Sequence, residues 1–360
     1  MCPTSRSSRP LKRRLSLGVS SLKWLDRLVV ASDLVRMNKG RYLKNRFIKT
    51  ENLPDSLWCN KSENILLPNQ LVDLWKGLLN ENSLMDLAKE KAPEGFEGGI
   101  SKEDTDKHLA WRYNGSCARV ILSLLDPKAK LADVSDAYAS IFAGNRVFVA
   151  DLPSGSGAAI ISILCTLYEL RKSNVLPRHP LEIKIIAGEI SETARGYLQK
   201  QLEDLKEKLE DQAIWIKFEI LKWDTLSKVS TVDLIKRMTL LSHDCHARML
   251  LLTNFTGFLE SSGNWKKAKP QFDDIFLHSR DSMSTAIWIE PQRKNVVTFF
   301  ARAIKWLKES FINLIGSQAG LEDSSWYAQT EVMCKQPIKE GTFPVRLTVM
   351  RFDLPVEVQE

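Results

Sequence analysis

The chain has 360 residues, 44% of them hydrophobic and 26% charged, close to the composition of an ordinary soluble globular protein. That length suggests two domains, or one large domain with an appended one, and a core of useful size without disulfide or metal staples. No run of ~18 uncharged apolar residues occurs, so no membrane-spanning helix is expected. The six cysteines (Cys2, Cys59, Cys117, Cys165, Cys245, Cys334) are dispersed along the whole chain. Dispersion argues against a disulfide framework or a CxxC zinc module and for a reducing, cytoplasmic compartment.

The net charge of +7 is unevenly placed. Residues 1–50 carry 13 Lys and Arg against two acids, Asp26 and Asp33, for a net +11, and the remainder is net −4. A basic arm of this kind attracts nucleic acid, an acidic protein or an anionic membrane surface. Its first 25 residues, rich in Arg and Ser and free of acids, also suit a mitochondrial transit segment. The plain alternative is a solvated, flexible tail over residues 1–20, which bury too little apolar surface to offset their ordering entropy.

From residue 21 to Phe142 the pattern is helical. Leu71, Leu74, Trp75 and Leu78 recur at helix spacing, as do Val120, Ile121, Leu124 and Leu125, with loops near Leu53–Asp55 and Pro93–Gly99. Residues 21–142 are expected to form a helical N-terminal domain. His108 and Trp111-Arg112-Tyr113 fall on one of its helices, which either covers a site or simply packs between domains.

From Arg146 onward short apolar runs alternate with longer helical stretches, so residues 143–360 read as the second domain. Strands are expected at Val147–Ala150, Glu182–Ala187, Ile214–Ile220, Met249–Thr253 and Ala286–Ile289. Helices are expected at Ala158–Arg171, from an N-cap at Ser191 to Asp211, and around Val232–Leu241. A last helix should present Val297, Phe300, Ala301, Ile304, Leu307, Phe311 and Leu314 on one side. Such alternation implies parallel strands with right-handed crossovers, a doubly wound α/β sheet. Trp326–Met333 and Phe343–Phe352 follow with no helix between them and should close the sheet as an antiparallel hairpin.

The most informative stretch is Asp151-Leu152-Pro153-Ser154-Gly155-Ser156-Gly157, where a buried strand ends in an acid and a small-residue turn opens a helix. Small residues let a ligand approach the backbone, and the helix start offers unpaired N–H groups to an anion. A tight strand-to-helix turn needs glycine for structural reasons too. There is no GxxxxGK[ST] motif, and Ile160 breaks the GxGxxG pattern.

This turn resembles the first motif of the class I S-adenosylmethionine-dependent methyltransferases. The likeness runs from about Phe142 to Asp353 and takes in Glu189 after the second strand, Trp223-Asp224 after the third, Asn254 after the fourth, and the final hairpin of a seven-stranded, mostly parallel sheet. Pro153 stands where the family more usually has glycine, and a loop at Lys172–Leu181 lengthens the first crossover.

The resemblance implies that Asp151, Ser154, Gly155, Ser156 and Gly157 hold the methionine moiety of S-adenosylmethionine. It implies that Glu189 accepts hydrogen bonds from the ribose, and that Asp224 receives the adenine amino group beside the flat wall of Trp223. Glu189 as a helix cap and Asp224 as a turn acid are the structural alternatives. Asn254 and Glu290 are the candidate catalytic residues, at the ends of the fourth and fifth strands, with helix capping the equal alternative for Glu290. Neither the [DNS]PP[YFW] turn of exocyclic-amine methyltransferases nor a Pro-Cys nucleophile follows the fourth strand, so the acceptor is not named. His243, Cys245 and His246 lack a second ligand cluster and read as a surface loop, with no metal expected.

Two further functions fit. One is a non-catalytic binding or regulatory subunit of this fold, in a nucleic-acid-associated complex served by the basic arm. The other, a nicotinamide-dependent oxidoreductase, suits the first turn but not the terminal hairpin.

Overall fold

The computed structural model describes residues 46–94, 98–310 and 327–354. The chain divides into two compact units, residues 1–46 and 47–360. Apart from Arg46 the first unit lies outside the described residues, as do the expected basic arm and, further on, Phe311, Leu314 and Trp326.

In the second unit the strands are β1 (Trp58–Cys59), β2 (Asn64–Ile65), β3 (Arg146–Asp151), β4 (Leu181–Glu189), β5 (Ile214–Lys222), β6 (Ala247–Thr253), β7 (Ser284–Pro291), β8 (Tyr327–Lys335) and β9 (Thr342–Asp353). The helices are α1 (Asn69–Glu81), α2 (Met85–Lys89), α3 (Lys102–Trp111), α4 (Tyr113–Leu125), α5 (Ala132–Phe142), α6 (Ala158–Lys172), α7 (Glu192–Glu210), α8 (Lys228–Ser242), α9 (Thr256–Glu260), α10 (Asn264–His278) and α11 (Lys294–Ser310). The nine strands form one mixed sheet in the order β1-β2-β8-β9-β7-β6-β3-β4-β5.

Strands β3 to β7 are mutually parallel, and β9 enters antiparallel between β7 and β8. The α/β sheet with its closing hairpin is therefore as expected; the count of seven is not. The extra strands, β1 and β2, come from the segment read as purely helical, and β2 adds parallel to the β8 edge. Two-residue strands carry no periodicity, so the sequence pattern has nothing to reveal them.

Period-2 alternation divides the sheet residues between two cores. Val147 and Val149 join one with α1, α4, α6 and α7, while Phe148, Ala150 and Leu152 join the other with α8, α10 and α11. The described part of the expected N-terminal domain shares the first core with the sheet: Trp75, Tyr113 and Ile121 are buried together with Val149 and Leu164.

Ser191 caps α7 as expected, accepting from the Ala194 N–H. Helix α10 was not anticipated, because Pro270 interrupts its pattern from inside. On α11 the buried residues are Val296, Phe299, Phe300, Ala303, Ile304, Trp306 and Leu307. Phe300, Ile304 and Leu307 lie on the buried stripe as expected, whereas Val297 is half-buried and Ala301 faces outward.

Gly157 opens α6 at φ 88°, and a Cβ there would lie 2.4 Å from Leu198 Cδ1. Gly157→Ala should lower stability by roughly 2–3 kcal/mol through left-handed strain and overpacking. Gly196→Ala, on an exposed turn of α7 where a Cβ meets nothing, should instead raise it by about 0.5–1 kcal/mol. Urea unfolding of the two variants checks both signs.

Candidate functional site

The chain runs outward from β3 to β4 and β5, then returns to the other side of β3 as β6 and β7. Strand order thus reverses between β3 and β6. In open α/β sheets ligands bind in the crevice beyond the carboxyl ends of the strands at such a reversal. Four of the candidate residues stand there: Asp151 ends β3, Glu189 ends β4, Asn254 follows β6 and Glu290 lies one residue before the end of β7.

Asp151 is fully buried. Its Oδ2 accepts from the Ile160 N–H at 3.3 Å, while Oδ1 is buried without a hydrogen-bond partner. Burial pushes its carboxyl up to about 8; the Ile160 N–H opposes the rise and the nearby Glu189 adds to it. The turn that follows is held on both sides. Ser154 N–H donates to Gly188 O at 3.0 Å, and the Ser156 carbonyl accepts from Gln201 Nε2 at 2.8 Å. Gln201 in turn accepts from the Tyr113 hydroxyl at 2.5 Å, which ties the turn to α4. Gly155 has φ 52°, and a Cβ added there would meet nothing within 4 Å. The backbone at Gly155 therefore faces open space, unlike Gly157.

Glu189 bridges the first two strand ends. Its Oε2 accepts from Gly155 N–H at 3.0 Å and its Oε1 from Ser191 N–H at 2.8 Å. Burial raises its carboxyl above the usual range against the pull of these N–H groups. Arg195 reaches over the same corner, donating to the Glu189 and Ile190 carbonyls.

Asp224 forms a local turn, its Oδ1 accepting from Leu226 N–H at 2.9 Å. Trp223 is 2% exposed and sits in the second core, edge-on to Phe272, with Nε1 donating to Thr231 Oγ1. Its ring is core packing in this structure rather than a wall over the strand ends. Gly188 makes room for it: a Cβ there would come within 3.2 Å of Trp223 Cβ.

On the other side of the reversal, Asn254 takes a left-handed backbone (φ 55°). Its Oδ1 accepts from Arg119 Nε at 3.1 Å and Nη2 at 2.7 Å. Glu290 is buried, and its Oε1 accepts from Phe255 N–H, Thr256 N–H and Trp288 Nε1 at 2.8, 3.0 and 2.9 Å. That oxygen caps the start of α9.

The sequence reading did not single out Arg119. The signal for Arg119 was available: it is the one charge in the run Cys117-Ala118-Arg119-Val120-Ile121-Leu122 of a buried helix. His108 and Arg112 complete this side. Burial, then Arg112 and Arg119, push His108 down to about 4, so it is neutral at pH 7. Trp111 and Tyr113 pack instead, donating to the Leu87 carbonyl and to Gln201.

Two surface clefts, one of about 560 Å³ beside Lys76, Met85 and Ile338 and one of about 520 Å³ between α1 and α7, lie away from the strand ends. Topology and converging polar groups, rather than cavity size, mark the candidate site. Among the described residues no group of three or more His, Cys, Asp or Glu side chains is placed to hold a metal ion, and no helix is long and apolar enough to cross a membrane.

No protein-family model matches the chain, and no curated protein does. Among solved structures, one from work on the conversion of a disulfide bond into a thioacetal group during echinomycin biosynthesis is 10% identical, over 61% of this chain and 81% of the other, with a TM-score of 0.29. The glycopeptide N-methyltransferase MtfA complexed with sinefungin is 8% identical, over 61% of this chain and 70% of the other, with a TM-score of 0.25. Scores at this level do not establish a shared fold.

Proposed function

We propose that the chain is an S-adenosylmethionine-dependent methyltransferase, with its cofactor at the strand ends of β3 and β4. The observation that carries this reading is the orphaned Oδ1 of buried Asp151 at the point where strand order reverses. Oδ2 holds the Ile160 N–H, but Oδ1 lacks a cationic or N–H partner, and a methionine ammonium supplies one. The open backbone at Gly155 and the Glu189 carboxylate beside it fit the same group. When bound, S-adenosylmethionine supplies an electrophilic methyl group. The chain's own residues do the rest: Asp151 and the turn from Ser154 to Gly157 bind, Glu189 holds that turn against β4 and offers its remaining lone pairs to the ribose, and Asp224 marks the far end. The helical segment, through α3 and α4, covers the crevice and selects the acceptor.

S-adenosylmethionine and S-adenosylhomocysteine should each raise stability by about 2.7 kcal/mol at 100 times the dissociation constant, while NAD and NADP give no shift. Gly155→Val fills the open space over the turn and should abolish the shift while leaving the far-UV circular dichroism spectrum nearly unchanged. Absence of any shift with either compound at millimolar concentration rejects the reading.

A second reading, a non-catalytic cofactor-binding subunit, draws on one observation: Asn254 and Glu290 both spend side-chain oxygens on protein donors. The +11 segment then docks the subunit on nucleic acid. If so, binding of RNA or DNA by the full chain should fall steeply with salt, with a log–log slope near −0.9 per phosphate neutralised on duplex.

A further inference from the structure

Strand β5 is the last in the sheet order, and among the described residues only β4 pairs with it. It spans nine residues with no proline or glycine, in unbroken register with β4. Its hydrogen-bonding parity is fixed at both ends. Ala213 O accepts from Leu181 N–H at 3.0 Å, and Trp223 N–H donates to Glu189 O at 3.2 Å, so the odd-numbered residues turn their main-chain groups toward β4. Alternate residues of a ladder point the other way, which leaves the N–H and C=O of Ile214, Ile216, Phe218, Ile220 and Lys222 on the outer side. No main-chain hydrogen bond reaches them there among the described residues. The side chains alternate as well. Ile214 and Ile216 are buried in the first core, and Phe218 and Ile220 pack against it. On the opposite face Trp215 is 43% exposed, Lys217 reaches Glu182 of β4 at 2.8 Å, and Glu219 holds Arg237 of α8 at 2.6 Å.

A strand edge this long and apolar is a template for a further strand, and natural proteins blunt such edges with proline, bulges or short strands. β5 carries none of these, and the order of its side chains names the partner. With a second β5 laid antiparallel and the two-fold axis at Phe218, the whole strand pairs, Ile214 with Lys222 and Ile216 with Ile220. The outward main-chain groups then meet one another, and the odd-numbered residues become the closely spaced pairs between them. Lys217 of each copy lies opposite Glu219 of the partner subunit, and Trp215 opposite Leu221 of the partner subunit. A row of alternating charge crosses the joint on this face: Glu182, Lys217, the partner's Glu219 and the partner's Arg237. Moving the axis to Lys217 or Glu219 sets like charges opposite each other, and moving it to Ile216 or Ile220 puts Lys217 opposite a tryptophan. We propose that the β5 edge is a self-association surface, on which two copies of the chain join antiparallel at Phe218 into one continuous sheet, a closed two-fold pairing. Because the joined strands run in opposite directions, the two strand-end crevices open on opposite edges of the joined sheet.

The test is the mass of the full chain by sedimentation equilibrium as a function of concentration, repeated for Lys217→Glu, for Glu219→Lys and for an equal mixture of the two. The ion pairs these residues make within the chain lie at the surface, where such pairs add little stability, and far-UV circular dichroism and urea midpoints check that each variant stays folded. The unmutated chain should reach twice the chain mass. Each single variant sets like charges opposite each other at both positions and should raise the dimer dissociation constant at least about 10-fold. In the mixture both positions again bring opposite charges together, so the constant should return to within about 3-fold of the unmutated value. Hydrogen exchange should protect the Ile216, Phe218 and Ile220 amides in step with the dimer formed. A mass that stays at one chain up to the highest soluble concentration overturns the proposal, whether the edge is then bare or covered by other residues of the same chain. A dimer that the single variants leave intact, or that the mixture does not restore, overturns it too, because the copies then meet elsewhere or in another register.

Discussion

Asp151→Asn is expected to weaken S-adenosylhomocysteine binding roughly 10- to 100-fold, the loss of a charge-assisted bond in a buried site, and at the same time to change how stability depends on pH. In the folded chain burial pushes the Asp151 carboxyl up to about 8, against an ordinary value of 3.8. Between those values the folded state keeps a proton that the unfolded state has released. Stability therefore falls as pH rises through that window, by up to about 1.4 kcal/mol per pH unit for a single group, and is level below about pH 4 and above about pH 8. Asparagine does not titrate. The variant's stability relative to the unmutated chain should therefore climb from pH 4 to pH 8, read as the difference in urea midpoints. Binding of an ammonium beside Asp151 should also release a proton near pH 7, which calorimetry in two buffers of different ionisation enthalpy detects. A variant that binds as tightly as the original, or a stability difference flat in pH, rejects the role given to this carboxyl.

Glu290→Ala should cost about 3–5 kcal/mol. It strands the Phe255 and Thr256 N–H groups and the indole N–H of Trp288, whose ring is fully buried. Each unsatisfied buried donor carries a penalty of about 1–3 kcal/mol, and partial relaxation of the short helix α9 keeps the sum below the maximum. Glu290→Gln retains an oxygen at the position of Oε1 and should lose less than about 1.5 kcal/mol. Urea unfolding that ranks Glu290→Gln with Glu290→Ala would show that the negative charge, and not the acceptor geometry, is what the site needs.

Much of this architecture is written locally. The strands from Arg146 to Pro291 announce themselves as short apolar runs between helical stretches, and Ser191 and the Asp151–Gly157 turn follow from rules that act over a few residues. The site was legible to the same extent. Asp151 and Glu189 end strands, and a strand's end can be found without knowing its neighbours. The direction of a side chain at such an end is another matter. Trp223 reads as a wall beside a ligand but packs on Phe272, because which face of β5's end is covered depends on α10, and α10 is masked by Pro270.

By itself, then, the sequence determined the alternation of strands and helices, the small-residue turn at the first strand end and the closing hairpin, all of which depend on contacts near in the chain. The tertiary structure decided the rest. It added β1 and β2 to the β8 edge, folded α4 into the core of the sheet, and brought Arg119 to Asn254, 135 residues away. Periodicity records which face of an element is apolar, but not which distant face it meets. The reversal of strand order that gathers Asp151, Glu189, Asn254 and Glu290 at one edge depends on those long-range pairings.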